Sequence, residues 1–173
     1  MIRSTILPLL RRVAASRRPD YTIRRRGGTV VCYRWWVIPR NRFFNVYLHE
    51  WVGSDDDGAL HDHPWPNLSW VLEGGYSDLT PAKGGSPVTG PWRRTEMRVG
   101  SIRFRWPREP HRVELPEGEA RTWTLFFTGP KVRSWGFYCP KGWVPWWEYA
   151  DRRDSGYVGA GCDGDSAPYP RPF

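Results

Sequence analysis

The residues best suited to chemistry in this chain are His61, His63 and His111. Only four histidines occur in its 173 residues, and these three sit in two short stretches, GALHDHPWPNLSWVLEGG (58–75) and GSIRFRWPREPHRVEL (100–115). His61 and His63 are separated by one residue and flanked by turn signals, Asp57-Gly58 before and Pro64 and Pro66 after. In an extended segment, residues i and i+2 point to the same face, so both imidazoles project into one space. A third imidazole from a neighbouring strand completes a three-nitrogen set, the usual minimum for holding a metal with coordination positions left open. Alone, a His-x-His pair reads as two surface or hydrogen-bonded histidines. The third histidine tips the balance to a divalent metal.

Neutral imidazoles bring no charge, so a divalent ion on three of them keeps its full +2, whereas two histidines and a carboxylate would reduce it to +1. Such an ion is electrophilic and receptive to an anionic chelating substrate. An octahedral iron held by three nitrogens keeps three open positions, which suits a dioxygenase. A tetrahedral zinc keeps one for water, which suits hydrolysis or Lewis-acid work. Iron(II) is the first expectation, with zinc, nickel and manganese as alternatives, because imidazole accepts several of these metals.

The two stretches resemble the signature motifs of the cupin superfamily. HDHPWPNLSWVLEGG has the layout of the first motif, ending in a strand that closes on Gly. Gly100, Pro107 and His111 have the spacing of the second, with the Pro displaced by one position. The family's metal-binding Glu is replaced by Asn67, Glu73 falls too far along to substitute for it, and the motif's first Gly is misplaced. The resemblance spans about residues 43 to 128. It implies an all-β fold, the cupin double-stranded β-helix or jelly-roll barrel, with a three-histidine metal site like that of the thiol dioxygenase branch. A fold of this breadth constrains architecture far better than reaction. Asn67 would serve as a weak oxygen ligand or as a hydrogen-bonding group beside the metal.

The elements that must position these residues are short strands. Twelve Trp, and 35 residues of Gly and Pro together, suit strands joined by tight turns. The length is that of one domain with a sizeable core. No apolar run approaches the ~20 residues of a membrane span. The formal charge of +8 is not spread evenly: residues 1–40 hold ten Arg against one acid, Asp20, and the remainder is close to neutral. Three domains follow: a basic N-terminal arm or helix (1–20), a β-barrel (21–150) and a Gly/Pro-rich tail (151–173). The arm places Ile2, Ile6, Leu9, Leu10 and Val13 at near-helical spacing, interrupted by Pro8 unless it lies in the first turn. Packing on the barrel or on a second subunit is the first expectation for it. Binding of nucleic acid is the minority reading, since basic and aromatic residues do not interleave there. Arg11 and Arg12 cut the apolar stretch too short for a secretory signal.

In FFNVYLHEWV (43–52), Asn45, Tyr47, His49 and Trp51 share a face whose mixture of aromatic and polar groups is that of a cavity wall. His49 is expected beside the metal set, not in it. Asp55 to Asp57 read as a solvated turn lacking the EF-hand pattern, and Asp62 must face away from the two histidines around it. A Leu68, Trp70, Leu72 row faces away from Asn67 and needs cover. Residues 79–91 read as a Pro/Gly/Ser loop. In the strand before Pro107, Ile102, Phe104 and Trp106 are expected inward and Arg103 and Arg105 outward, unless the lumen holds an anion. Cys32, Cys139 and Cys162 are too few and scattered for a disulfide framework, so the default is a reducing cytosol, with Cys162 incidental in a tail.

The expected function is a metal-binding cupin, a non-haem Fe(II)-dependent dioxygenase acting on a small anionic molecule in the cytoplasm, as a homodimer with no membrane attachment. His61, His63 and His111 would ligate the metal; Asn67 and His49 would stand beside it; Tyr47, Tyr76 and an inward Arg103 or Arg105 would contact substrate. The alternative is a non-catalytic module that binds a small metabolite or nucleotide, with a structural metal.

Overall fold

The computed structural model describes residues 2–25, 28–55, 59–116, 121–150 and 161–163. A helix, α1 (Ile2–Ser16), precedes twelve strands: β1 (Tyr21–Arg24), β2 (Val30–Trp36), β3 (Asn45–Trp51), β4 (Leu60–His61), β5 (Asn67–Glu73), β6 (Gly75–Ser86), β7 (Gly90–Arg98), β8 (Ile102–Arg105), β9 (Arg112–Glu114), β10 (Thr122–Thr128), β11 (Gly136–Cys139) and β12 (Gly142–Pro145). A one-turn helix, α2 (Trp146–Tyr149), follows. The strands form two antiparallel layers. One is ordered β1-β2-β3-β10-β5-β8. The other consists of β7-β6-β9 and β12-β11-β4, joined by a bridge between His61 and His111. Residues 151–160 and 164–173, most of the expected tail, lie outside the described residues.

Strand alternation sorts the side chains of the six-stranded layer onto two faces. On β3, Tyr47 and His49 look into the space between the layers, and Leu48 looks out. The outward row of Leu48, Leu72, Trp35, Trp123 and Leu125 packs under Leu7 and Ala14 of α1. Each Leu or Val side chain fully buried in this way contributes roughly 1.5–3 kcal/mol. The arm therefore covers the Leu-Trp-Leu face, with Trp70 partly buried at its margin. Arg11 spans the edge of this contact, 5.0 Å above the Trp123 ring and 2.5 Å from the Glu73 carboxylate. Pro8 lies inside α1 instead of ending it. The cost of a proline in a helix interior is about 3 kcal/mol, offset here by the apolar contacts on either side of it.

Several expectations change. Residues 79–91 form the end of the β6–β7 hairpin instead of an open loop: Leu79, Thr80 and Pro81 pair with β7 and Ser86 pairs with Gly90, with the register shifting between Pro81 and Ser86. Glu73 is the last residue of β5, and the turn comes at Gly74, whose φ of 70° is left-handed. A Cβ there would also lie 2.6 Å from the Arg121 carbonyl, so only glycine fits. On β8 the expected facing is reversed. Arg105 is 1% exposed, whereas Ile102 and Trp106 are each 61% exposed. β8 is the edge of its layer, beyond the reach of α1, and a buried carboxylate draws the arginines inward. Cys162 is bonded to Cys139, so the expectation of incidental thiols fails. A disulfide belongs to oxidising surroundings, and the cysteines no longer argue for a reducing cytosol. Among the described residues, no helix is long and apolar enough to cross a membrane.

Candidate metal centre

His61 and His111 face each other as a hydrogen-bonded antiparallel pair, each backbone N–H donating to the other's carbonyl at 2.9 Å. Residues opposed in this way carry their side chains on the same face of a sheet, and their ring centroids are 4.7 Å apart. His63, two residues on from His61, donates its backbone N–H to the Pro107 carbonyl at 3.0 Å. Its ring lies 5.1 Å from those of both His61 and His111. One nitrogen from each of the three rings falls within 4.8 Å of the others, and the Nε2 atoms of His63 and His111 are 2.8 Å apart. Nitrogens bound at about 2.0–2.1 Å to one ion stand roughly 3.0–3.4 Å apart. Small rotations of these rings reach that spacing, so the set fits a metal.

The backbone between the histidines is held by Asp62. Its carboxylate is wholly buried on the opposite side. It accepts from the Gly136 N–H at 2.9 Å, the Tyr138 hydroxyl at 3.2 Å and the Trp143 indole at 3.3 Å, and it pairs with Arg133 at 2.8 Å. That anchor ties β4 to the β11–β12 hairpin and leaves the two imidazoles on the cavity side.

Two further carboxylates lie beside the rings, and one of them is hydrogen-bonded to its histidine. Asp78 on β6 lies 3.0 Å from Nδ1 of His111, directing Nε2 of that ring to the common point. Asp55 lies 3.8 Å from Nδ1 of His61 and accepts from the Val113 N–H at 2.7 Å. A carboxylate on the remote nitrogen fixes the tautomer and raises ligand basicity. Asp78 also pairs with the buried Arg105 and lies 3.9 Å from Nε of Arg103. Burial raises its pKa, with Arg105 pulling the other way. Neither carboxylate was singled out by sequence reasoning. Asp55 looked like part of a solvated turn, of which Asp56 and Asp57 lie outside the described residues. Asp78 sits in phase with Tyr76 on a strand, the one signal that could have shown it facing inward.

Burial pushes the imidazoles of His63 and His111 well below the usual histidine range; the other histidines of the cluster and Arg105 act in the same direction. They are therefore neutral, the form in which imidazole binds metal. His49 is lowered in the same way, by burial and then by Arg34.

The cluster opens on a cavity of about 390 Å³ between the layers. Tyr47, His49, Tyr76 and Arg105 line it with the three histidines, whereas Arg103 and Asn67 do not reach its wall. Tyr76 is spent on Ser69, 3.3 Å from its hydroxyl, and burial raises its pKa. Asn67 is buried with neither amide atom hydrogen-bonded. Phe137 lies 5.6 Å from the His61 ring and stacks on Tyr149 at 3.6 Å. The disulfide packs behind this pair. Sequence reasoning passed over Arg34 of β2, which lines the cavity beside His49.

No family model matches the chain, and no curated protein matches it in sequence. Solved structures do share its fold. HppE with iron(II), in complex with substrate, aligns at 14% identity over 65% of this chain and 57% of that one, with a TM-score of 0.51. An uncharacterized conserved protein with a double-stranded β-helix domain from Klebsiella pneumoniae aligns at 15% identity over 62% and 84% of the two chains, TM-score 0.46. EutQ from Clostridium difficile aligns at 12% identity over 58% and 68%, TM-score 0.42. The chain spans about half the length of the first HppE structures it matches, 49% and 52%. Likeness at this level concerns architecture: the fold is the double-stranded β-helix of the cupins.

Proposed function

We propose that this chain is a metal-dependent oxygenase that holds iron(II) on His61, His63 and His111 and acts on a small anionic molecule. The observation that carries the reading is the convergence of three imidazoles, one of them hydrogen-bonded to a buried carboxylate, at the wall of an aromatic cavity. Iron(II) is the metal of the HppE structure that shares the fold. Held by three neutral nitrogens, it would keep its full charge and offer enough open positions for two substrate atoms and dioxygen.

The chain's own residues supply the rest. Asp78 holds the proton of His111 on Nδ1, away from the metal, and Asp55 adds a negative charge beside the His61 ring. Arg105 neutralises Asp78, so the carboxylate stays ionised without adding net negative charge to the cavity. The rings of Phe126, Phe137 and Trp135 line the space around the histidines and keep water out. Arg34 gives the lumen a cation for an anionic substrate.

Anaerobic purification with metal analysis, followed by oxygen uptake against a panel of small acids, tests the proposal. About one iron per chain, lost in His63→Ala, together with acid-dependent oxygen consumption is the expected result. Iron-loaded protein that consumes no oxygen with any acid, yet binds one equally well without metal, would point instead to a binding module.

A further inference from the structure

Arg34 sits in the middle of β2 opposite His49 of β3. Its Nε–H donates to Nε2 of His49 at 2.7 Å, so the proton of that imidazole resides on Nδ1. The guanidinium lies 5.0 Å from the Tyr47 ring centroid and 5.9 Å from that of Tyr21. These three contacts leave a flat cation little freedom to turn. Of the other arginines on the wall, Arg105 is neutralised by Asp78, Arg24 donates to the Gly28 carbonyl and Arg40 is exposed. Arg34 has no carboxylate partner among the described residues, and its two Nη groups make no hydrogen bond there. A partly buried cation without a counter-ion is costly, and a guanidinium fork whose two Nη groups bond to none of the described residues matches the two oxygens of a carboxylate.

The surroundings indicate the body attached to that carboxylate. Tyr47, His49 and Phe126 present nearly parallel rings: Tyr47 to His49 at 6.2 Å and 6°, His49 to Phe126 at 5.2 Å and 27°, and Tyr47 to Phe126 at 6.4 Å and 24°. The Phe126 ring continues to His63, 5.9 Å away. This row of rings runs from Arg34 to the histidine cluster. Aromatic groups stack offset or edge-on against such a surface, and an aliphatic ring cannot.

We infer that Arg34, aimed by His49, is the anion-binding residue of the cavity, and that it takes the carboxylate of a flat aromatic acid whose opposite edge faces His61, His63 and His111. The inference rests on the proposed function for the fate of that acid, but its binding step is independent of the metal. Arg34 is a substrate-binding residue and His49 a positioning residue.

The test uses the full chain, metal-free and cobalt(II)-loaded, titrated calorimetrically with benzoate, benzamide and cyclohexanecarboxylate. Benzoate is expected to bind at least tenfold more tightly than either of the others. Arg34→Gln should weaken benzoate at least tenfold and leave benzamide unchanged; Arg34→Lys should lose part of the affinity, since an ammonium cannot fork. Equal binding of benzoate and benzamide, or of benzoate and cyclohexanecarboxylate, overturns the inference, as does benzoate affinity within twofold of the parent in a folded Arg34→Gln. The three-ligand contrast is read on the unaltered chain, so a variant that fails to fold does not shelter the idea. Cobalt absorption reads the histidines separately. Benzoate selectivity without cobalt binding sinks the metal reading alone, and cobalt binding without selectivity sinks this one.

Discussion

Replacing Asp78 by Asn keeps the shape of the side chain and removes its charge. In the folded chain this carboxylate is fully buried, pairs with an Arg105 that is 1% exposed, and accepts from Nδ1 of His111 at 3.0 Å. Two consequences follow. The Arg105 guanidinium becomes a buried cation without a counter-ion, and removing one partner of such a pair costs about 3–5 kcal/mol. The amide oxygen still accepts from Arg105, which places the loss at the lower end, near 3 kcal/mol, a large share of the ~5–15 kcal/mol total of an ordinary domain. With its oxygen on Arg105, the amide turns its NH2 toward His111. The imidazole must then accept at Nδ1 and carry its proton on Nε2, the nitrogen that should face the metal. Loss of such a supporting partner typically costs about 10–100-fold in metal affinity. Urea unfolding of the metal-free chain, with an unchanged m-value, reads the first effect, and cobalt(II) titration reads the second. Adding Arg105→Met should recover at least about 1 kcal/mol of stability, because both charges are then gone, but it should not restore metal binding. A stability loss under about 1 kcal/mol for Asp78→Asn, with unchanged cobalt affinity, would refute the reasoning.

Metal-free protein should lose stability as the pH falls below about 6.5, because His49, His63 and His111 have folded-state pKa values well below their unfolded one and the unfolded chain takes up more protons there. Each group contributes a slope of up to about 1.4 kcal/mol per pH unit, and urea midpoints between pH 7 and 5 check it; a flat profile contradicts neutral burial. Leu7→Ala should cost roughly 2–5 kcal/mol, the usual range for a truncated core leucine, since Leu7 packs on the outer face of the sheet; a loss below 0.5 kcal/mol by thermal melt would mean that α1 is not docked. Cys162→Ser should lower stability by about 3 kcal/mol, the chain-entropy expectation for a loop of this size, given a sequence separation of 23 between the bonded cysteines; identical unfolding curves with and without reductant would contradict the bond.

Much of the site was legible because strand periodicity is a local property. One intervening residue between His61 and His63 is enough to put both rings on one face, and the same alternation made Tyr47 and His49 a cavity wall and Leu68, Trp70 and Leu72 a row needing cover. The near-helical spacing of Ile2, Ile6, Leu9, Leu10 and Val13 pointed to a helical arm, but the residues that dock are Leu7 and Ala14 with Ile6 and Leu10 beside them, while Leu9 and Val13 are exposed. Alternation, however, yields two faces without saying which is inward. On β8 the apolar residues face solvent and Arg105 faces the lumen, because α1 covers the layer only as far as β5 and because Asp78, on a strand of the other layer, supplies the buried charge that Arg105 must meet.

Long-range encounters of this kind belong to the tertiary structure. The Asp78–His111 contact, the Arg34–His49 pair and the Cys139–Cys162 bond each join separate segments of the chain, and no spacing rule links such residues before the layers close. The amino-acid sequence alone pointed to short strands and tight turns, and its alternation put His61 and His63 on one face; the resemblance of the two stretches to the cupin motifs added the barrel and His111. Closure of the two layers decided which carboxylate steadies His111, which arginine has no counter-ion among the described residues, and which face of β8 points inward, because burial and electrostatic pairing are set by the neighbours that packing supplies.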